Sequence, residues 1–266
     1  MMAKLTVIVE NNADSPFIAE HGLALLIDFN DKRILFDTGA GGALVENAKL
    51  LNIDINSVTH IILSHGHNDH TGGLCNFSEG KVYSLSDVVI QRFSIHENSP
   101  VRDISMPKKS VEKLQKLSWI HSDSPLEIFD GAFLSGRIPR ISGEDVGGPF
   151  YLDETGCVPD SIIDEQALLL SSGLLVQGCC HAGIVNTMRY FKMCCPDIEI
   201  RAIVGGLHLL HASIERLQQT AVYLNNSEVE DLYLMHCTGE NAIKYLSENC
   251  PNIRVHYCKV GEVILF

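Results

Sequence analysis

The sequence predicts a mixed α/β protein built as an αββα sandwich, and three observations lead there. Short apolar runs of strand length recur through residues 5–63, and strands alternate regularly with helices after residue 166. Nothing along the 266 residues has the composition of a long linker, a low-complexity tract or a repeat. Two β-rich halves that each carry helices close most simply as two sheets face to face with the helices outside. The chain is therefore read as one domain, residues 1–266.

Residues 5–9, 23–29 and 33–36 are apolar or β-branched, and Asn30-Asp31 makes a tight turn between the last two. Phe36-Asp37-Thr38-Gly39 closes a strand, residues 43–51 have the spacing of a short helix, and residues 58–63 read as a buried strand. From 81 to 164 the pattern degrades, with one helix expected at 106–117. This stretch is expected to be an irregular excursion covering the substrate, since loops on a rigid scaffold commonly set selectivity. Strands are then expected at 174–177, 199–204 and 231–235, with helices at 184–193, 213–224 and 240–249. Ser213 is a candidate N-cap. Segments 253–257 and 262–266 close the sheet.

The formal charge of −13, from 20 basic and 33 acidic residues, argues against a broad phosphate-backbone interface, so no nucleic-acid partner is expected. Small anionic substrates stay open, because bound cations outweigh carboxylates locally. No apolar run is long enough to span a bilayer, and Met1-Met2-Ala3-Lys4-Leu5 lacks the core and cleavage site of a signal peptide. A cytoplasmic location and no membrane partner are expected; the oligomeric state is open. The nine cysteines, without C-x-x-C spacing, read as reduced thiols that mostly fill the core.

Chemistry enters at Ser64-His65-Gly66-His67-Asn68-Asp69-His70-Thr71-Gly72-Gly73. Three imidazoles and a carboxylate within six residues, directly after a buried strand, form a metal-ligand cluster. In an extended loop His65 and His67 project to one side and chelate one ion. A helix starting near Asn68 turns Asp69 and His70 towards a second ion. The donors suit Zn²⁺ as the default, and Fe²⁺ or Mn²⁺ equally in chemistry.

Four ligands cannot hold two ions. Three later strands run into Gly178-Cys179-Cys180-His181, Gly205-Gly206-Leu207-His208 and Met235-His236-Cys237. Functional groups cluster past the carboxyl ends of strands in layered α/β folds. His181 and His236 are read as further ligands. His208 is either a ligand or a substrate contact or proton donor. Cys179 is either a bridging thiolate or an inert buried thiol.

The His65-x-His67-x-Asp69-His70 pattern after a strand resembles the signature of the metallo-β-lactamase superfamily. The resemblance implies that fold, with His65 and His67 on one metal and Asp69 and His70 on the other. Phe36-Asp37-Thr38-Gly39 resembles the superfamily's early turn, whose Asp orients the ligand loop; an ordinary turn Asp is the alternative. The superfamily's metal-bridging Asp has no counterpart, because Gln177-Gly178-Cys179 stands there, and Asp164-Glu165-Gln166 replaces its usual upstream His segment.

Four blocks narrow the resemblance: Ser64 to Leu74, Gly178 to Asn186, Gly205-Gly206-Leu207-His208-Leu209 and His236-Cys237-Thr238-Gly239. Together they are similar to 7,8-dihydropterin-6-yl-methyl-4-(β-D-ribofuranosyl)aminobenzene 5′-phosphate synthases. This implies a dinuclear metal-dependent hydrolase or transferase acting on a small, phosphate- or diphosphate-bearing, dihydropterin-related molecule; in the superfamily's general hydroxide chemistry Asp69, His208 or a nearby acid manages protons. The alternative within the fold is a phosphodiesterase, nuclease or lactonase using a metal-bound hydroxide.

Overall fold

The computed structural model describes residues 2–144 and 146–266. Two seven-stranded sheets form its centre. The first runs Val263–Leu265, Lys4–Val9, Ala24–Phe29, Lys32–Phe36, His60–Ile62, Lys81–Ser84 and Ser118–His121 from edge to edge. The second runs Arg254–Tyr257, Asp231–Leu234, Ala202–Gly205, Leu174–Val176, Leu168–Leu170, Ala132–Leu134 and Leu126–Phe129. A small third sheet joins Phe150–Tyr151, Phe93–Ser94 and Arg102–Asp103.

Alternation along the strands creates three apolar layers. In Ala24–Phe29, Leu25, Ile27 and Phe29 face the second sheet, whereas Ala24 and Leu26 face the outer helices. In the second sheet Leu174, Val176, Ala202 and Val204 point inward to the shared core. Their neighbours Leu175 and Ile203 point outward to helices Ile184–Cys194, Ile214–Asn225 and Glu240–Asn249. Helices Leu44–Leu50 and Lys108–Leu114 cover the opposite outer face. Period-two patterning with both faces buried makes the central strands almost wholly apolar, and the result is the expected αββα sandwich.

Strand direction brings the functional loops together. Lys32–Phe36, His60–Ile62 and Lys81–Ser84 are parallel, so Asp37 and Ser64 leave the first sheet at one end. Leu174–Val176, Ala202–Gly205 and Asp231–Leu234 are also parallel, so the loops carrying His181, His208 and His236 leave the second sheet together. The Asn30-Asp31 turn has φ of 50° and 58°, as a two-residue hairpin requires. Ser213 caps its helix, its hydroxyl accepting from the Arg216 amide at 3.2 Å.

Two expectations need correction. The stretch 81–164 is more regular than its sequence suggests: 81–84 and 118–121 complete the first sheet, and 126–129 and 132–134 complete the second. Among the described residues of this stretch, only the strands at 93–94, 102–103 and 150–151 stand apart. These strands are two to four residues long, too short to show periodicity. The last strand, Val263–Leu265, pairs with Lys4–Val9 in the first sheet and does not extend the second. Among the described residues no helix is long and apolar enough to cross a membrane.

Ile203 is fully buried beneath the outer helices of the second sheet. Ile203→Ala should lower unfolding free energy by about 2–5 kcal/mol, read as a reduced urea midpoint with unchanged slope.

Candidate metal centre

The buried strand ends at Ile62, Ser64 lies two residues beyond it, and helix Asn68–Thr71 starts four residues after Ser64. His67 at its N-cap is extended (φ −71°, ψ 147°), so the chain turns between His67 and Asp69. Gly66 is required at the tightest point: a Cβ there would lie 2.1 Å from an Arg92 guanidinium nitrogen and 2.3 Å from the Val88 carbonyl.

Asp37 organises this loop. One carboxylate oxygen accepts from the Ser64 amide at 2.7 Å. The other meets the Ser64 hydroxyl at 2.7 Å and His70 Nδ1 at 2.7 Å. Ser64 Oγ in turn lies 2.9 Å from His65 Nδ1. The Nδ1 atoms of His65 and His70 are thus occupied, and their Nε2 atoms are left for the site. Asp37 thus ties the end of its strand to the loop that carries His65 and His70, beyond what a turn alone needs. Its φ of 60° sets the bend after the strand.

The later loops deliver their histidines to the same place. His181 lies 4.8 Å from His65 and 5.1 Å from His67 between ring centroids. The side chain of Glu165 holds that loop, accepting from the amides of His181 and Ala182 at 2.5 Å each. His236 Nε2 comes to 3.2 Å from His70 Nε2 and 3.5 Å from Asp69 Oδ2. Its Nδ1 is fixed 3.0 Å from Asn11 Oδ1, and its amide donates to Glu10 at 2.5 Å. His208 sits beside His181, centroids 4.3 Å apart. Cys179 Sγ is 3.2 Å from His70 Nε2. Every site residue expected from sequence, His65, His67, Asp69, His70, Cys179, His181, His208 and His236, therefore falls in one cluster.

Other members were less visible. His21 Nε2 lies 3.2 Å from Asp69 Oδ2, at an exposed rim. Asn11, Glu10 and Glu165 support imidazoles far away in the chain and carry no local motif. Asp164 accepts from the Gly66 amide at 2.9 Å and pairs with Arg92 at 2.7 Å. The polar run Asp164-Glu165-Gln166, buried just before an apolar strand, was the available signal for this support.

The electrostatics leave most of these imidazoles neutral. Burial pushes His67 down to about 3 and His236 to about 4, and holds His65 and His181 well below the ordinary histidine value. Burial also works against charge on His70, but the Asp37 and Asp69 carboxylates prevail and raise it to about 9. Asp69 is held ionised by its histidine neighbours despite its burial.

The donor set fits metal. His65 Nε2, His67 Nε2, both nitrogens of His181 and His208 Nδ1 are buried without a hydrogen-bond partner. Each such orphan costs on the order of 1–3 kcal/mol. His65, His67 and His181 present ligand atoms within 4.8 Å of one another, as do His21, Asp69 and His236. His70 joins the second group, its Nε2 3.9 Å from Asp69 Oδ2 and 3.2 Å from His236 Nε2, and imidazole and carboxylate donors at these separations suit divalent cations. The Phe150 ring covers the first group, 5.2 Å from His67 and 5.6 Å from His181.

Because Asp37 orients two histidines through hydrogen bonds alone, Asp37→Ala should lower zinc affinity about 10- to 100-fold while leaving the circular dichroism spectrum unchanged. Titration calorimetry against wild type measures this, and equal affinities would contradict the assigned role.

The sequence model of the metallo-β-lactamase superfamily matches residues 18–131. An uncharacterized protein of Methanocaldococcus jannaschii is 30% identical over 98% of this chain and 99% of its own. From the same organism, 7,8-dihydropterin-6-methyl-4-(β-D-ribofuranosyl)-aminobenzene-5′-phosphate synthase is 31% identical over 99% of this chain and 96% of its own. The crystal structure of Tm1679, a metal-dependent hydrolase of the β-lactamase superfamily, superposes with a TM-score of 0.86 at 27% identity over 98% of each chain. With such matches along nearly its whole length, and with the ligand loops and sandwich to match, this chain belongs to the metallo-β-lactamase superfamily.

Proposed function

We propose that the protein is a dinuclear metal-dependent hydrolase or transferase acting on a small molecule that bears a phosphate or diphosphate group. One observation carries this reading: buried imidazole nitrogens without partners converge from both sheets on a single cluster. His65, His67 and His181 are assigned to one cation, and Asp69, His70 and His236 to the other, with Zn²⁺ the expected metal. When bound, such a pair supplies charge that stabilises a phosphoryl oxygen or a departing diphosphate.

The residues support an anionic substrate. Two divalent cations held there would supply the local positive charge that an anion needs within an acidic protein. That acidity, −13 overall, favours a small anion over a nucleic-acid strand. His208, with Nδ1 buried and unpartnered beside His181, is assigned to proton transfer at the reacting oxygen. Asp69 shares that role through its contact with His21 at the rim. Phe150, 5.9 Å from His208, is the wall against which a planar substrate would rest, and it brings the 81–164 excursion over the site. The relative named as a dihydropterin-linked synthase supports a pterin-related substrate. In that case the leaving group is diphosphate and the acceptor is an arylamine compound; with water as acceptor the same centre hydrolyses.

The test is release of phosphate or diphosphate from dihydropterin-methyl diphosphate by zinc-loaded protein, with and without a ribosylaminobenzene phosphate acceptor. Acceptor-dependent release identifies a transferase, and acceptor-independent release a hydrolase. Inertness towards this and other phosphate esters, together with cleavage of RNA or single-stranded DNA, would overturn the proposal. His67→Ala should abolish turnover and lower metal stoichiometry with the fold retained, and unchanged stoichiometry would count against the ligand assignment. Phe150→Ala should raise KM about tenfold without changing bound metal, as steady-state kinetics and metal analysis would show.

A further inference from the structure

We infer that Cys179 places its sulfur between the two metal positions and serves as a thiolate bridge, so that the centre is a sulfur-linked pair of cations. The inference rests on the dinuclear reading above and adds to it the ligand that joins its halves.

The placement of the sulfur carries the argument. Cys179 shares a potential metal-binding group with His65 and His70, another with His181 and His208, and a third with His236 and Cys237. Within each group all ligand atoms lie within 4.8 Å of one another. One sulfur atom is therefore near imidazoles assigned to both cations, with His70 Nε2 only 3.2 Å away. The nitrogens around it include His65 Nε2 and His181 Nε2, both buried and unpartnered.

The backbone is shaped to put it there. At Gly178 a Cβ would lie 2.2 Å from Ser64 Oγ and 3.0 Å from Asp37 Oδ2, so only glycine lets this strand end press against the loop that carries His65. Cys180 then adopts φ +64°, a left-handed turn that costs a side-chain-bearing residue energy. Across that turn the adjacent cysteines part company. Cys180 packs into the apolar layer under the outer helices, whereas Cys179 belongs to none of the apolar layers although it is buried. The other nearby thiol, Cys237, meets both the side chain and the carbonyl oxygen of Cys179, the latter at 3.4 Å, but falls in a group with His236 alone among the imidazoles.

Sulfur at this position has a chemical consequence. Coordination replaces the S–H bond with bonds from the thiolate lone pairs to the cations, and one proton leaves to solvent. Thiolate is a soft donor, so it favours Zn²⁺ or Co²⁺ over Mn²⁺ and Mg²⁺ among metals that the imidazoles alone would accept.

Cobalt titration of chelator-stripped protein tests this by absorption spectroscopy. Wild type should bind two equivalents and develop a near-ultraviolet sulfur-to-cobalt charge-transfer band that grows through both. Cys179→Ser should lose the band. Cys179→Asp, which restores an anionic bridging donor, should bind two equivalents without it, and Cys237→Ser should keep it. Two bound cobalt ions without the band, a band confined to one equivalent, or a band lost in Cys237→Ser and kept in Cys179→Ser would each overturn the bridge. Wild type that binds fewer than two ions would instead defeat the dinuclear reading and the bridge with it.

Discussion

Lone pairs that water cannot reach dominate this molecule's architecture. The loops after two parallel runs of strand bury His65, His67, His181 and His236 so completely that protonation is suppressed, and several ring nitrogens have no protein partner. A folded chain tolerates such a group only if something else satisfies it. Much of the surrounding structure keeps those nitrogens aimed at common points. Asp37 and Ser64 fix the first loop, Glu165 the second, and Asn11 with Glu10 the third.

Four of the nine non-glycine residues with positive φ among the described residues lie in the same region. Asp37, Cys180, His208 and His236 all have positive φ. Such conformations persist where surrounding structure over-determines them. Here the two packed sheets supply that determination, since each bend follows a strand buried on both faces. The segment that bears His21 is anchored comparably: the Glu20 carboxylate accepts from the Ala40, Gly41, Gly42 and Ala43 amides, and Leu23 N donates to Asp69 O at 3.2 Å. Stability and site geometry are therefore coupled through the sheets.

Much of this was legible in the sequence because it is local. The helix at 240–249 is bounded as its spacing predicts, and the cluster from His65 to His70 is a contiguous motif. The three strand-end histidines were visible because parallel strands deliver their carboxyl ends to one side. What escaped is non-local or short. Asn11 meets His236 across 225 residues, a pairing that neither residue announces. Strands such as Phe93–Ser94 and Phe150–Tyr151 hold two residues each, so no period exists to read. The destination of Val263–Leu265 depends on which sheet edge is free, a property of the assembled fold.

The central claim concerns where cations sit, and anomalous diffraction from zinc-loaded crystals, recorded on both sides of the zinc edge, measures that directly. The account predicts two peaks, one within bonding distance of His65, His67 and His181 and one within bonding distance of Asp69, His70 and His236. Absence of density in the cluster, or peaks confined to surface carboxylates, would contradict it.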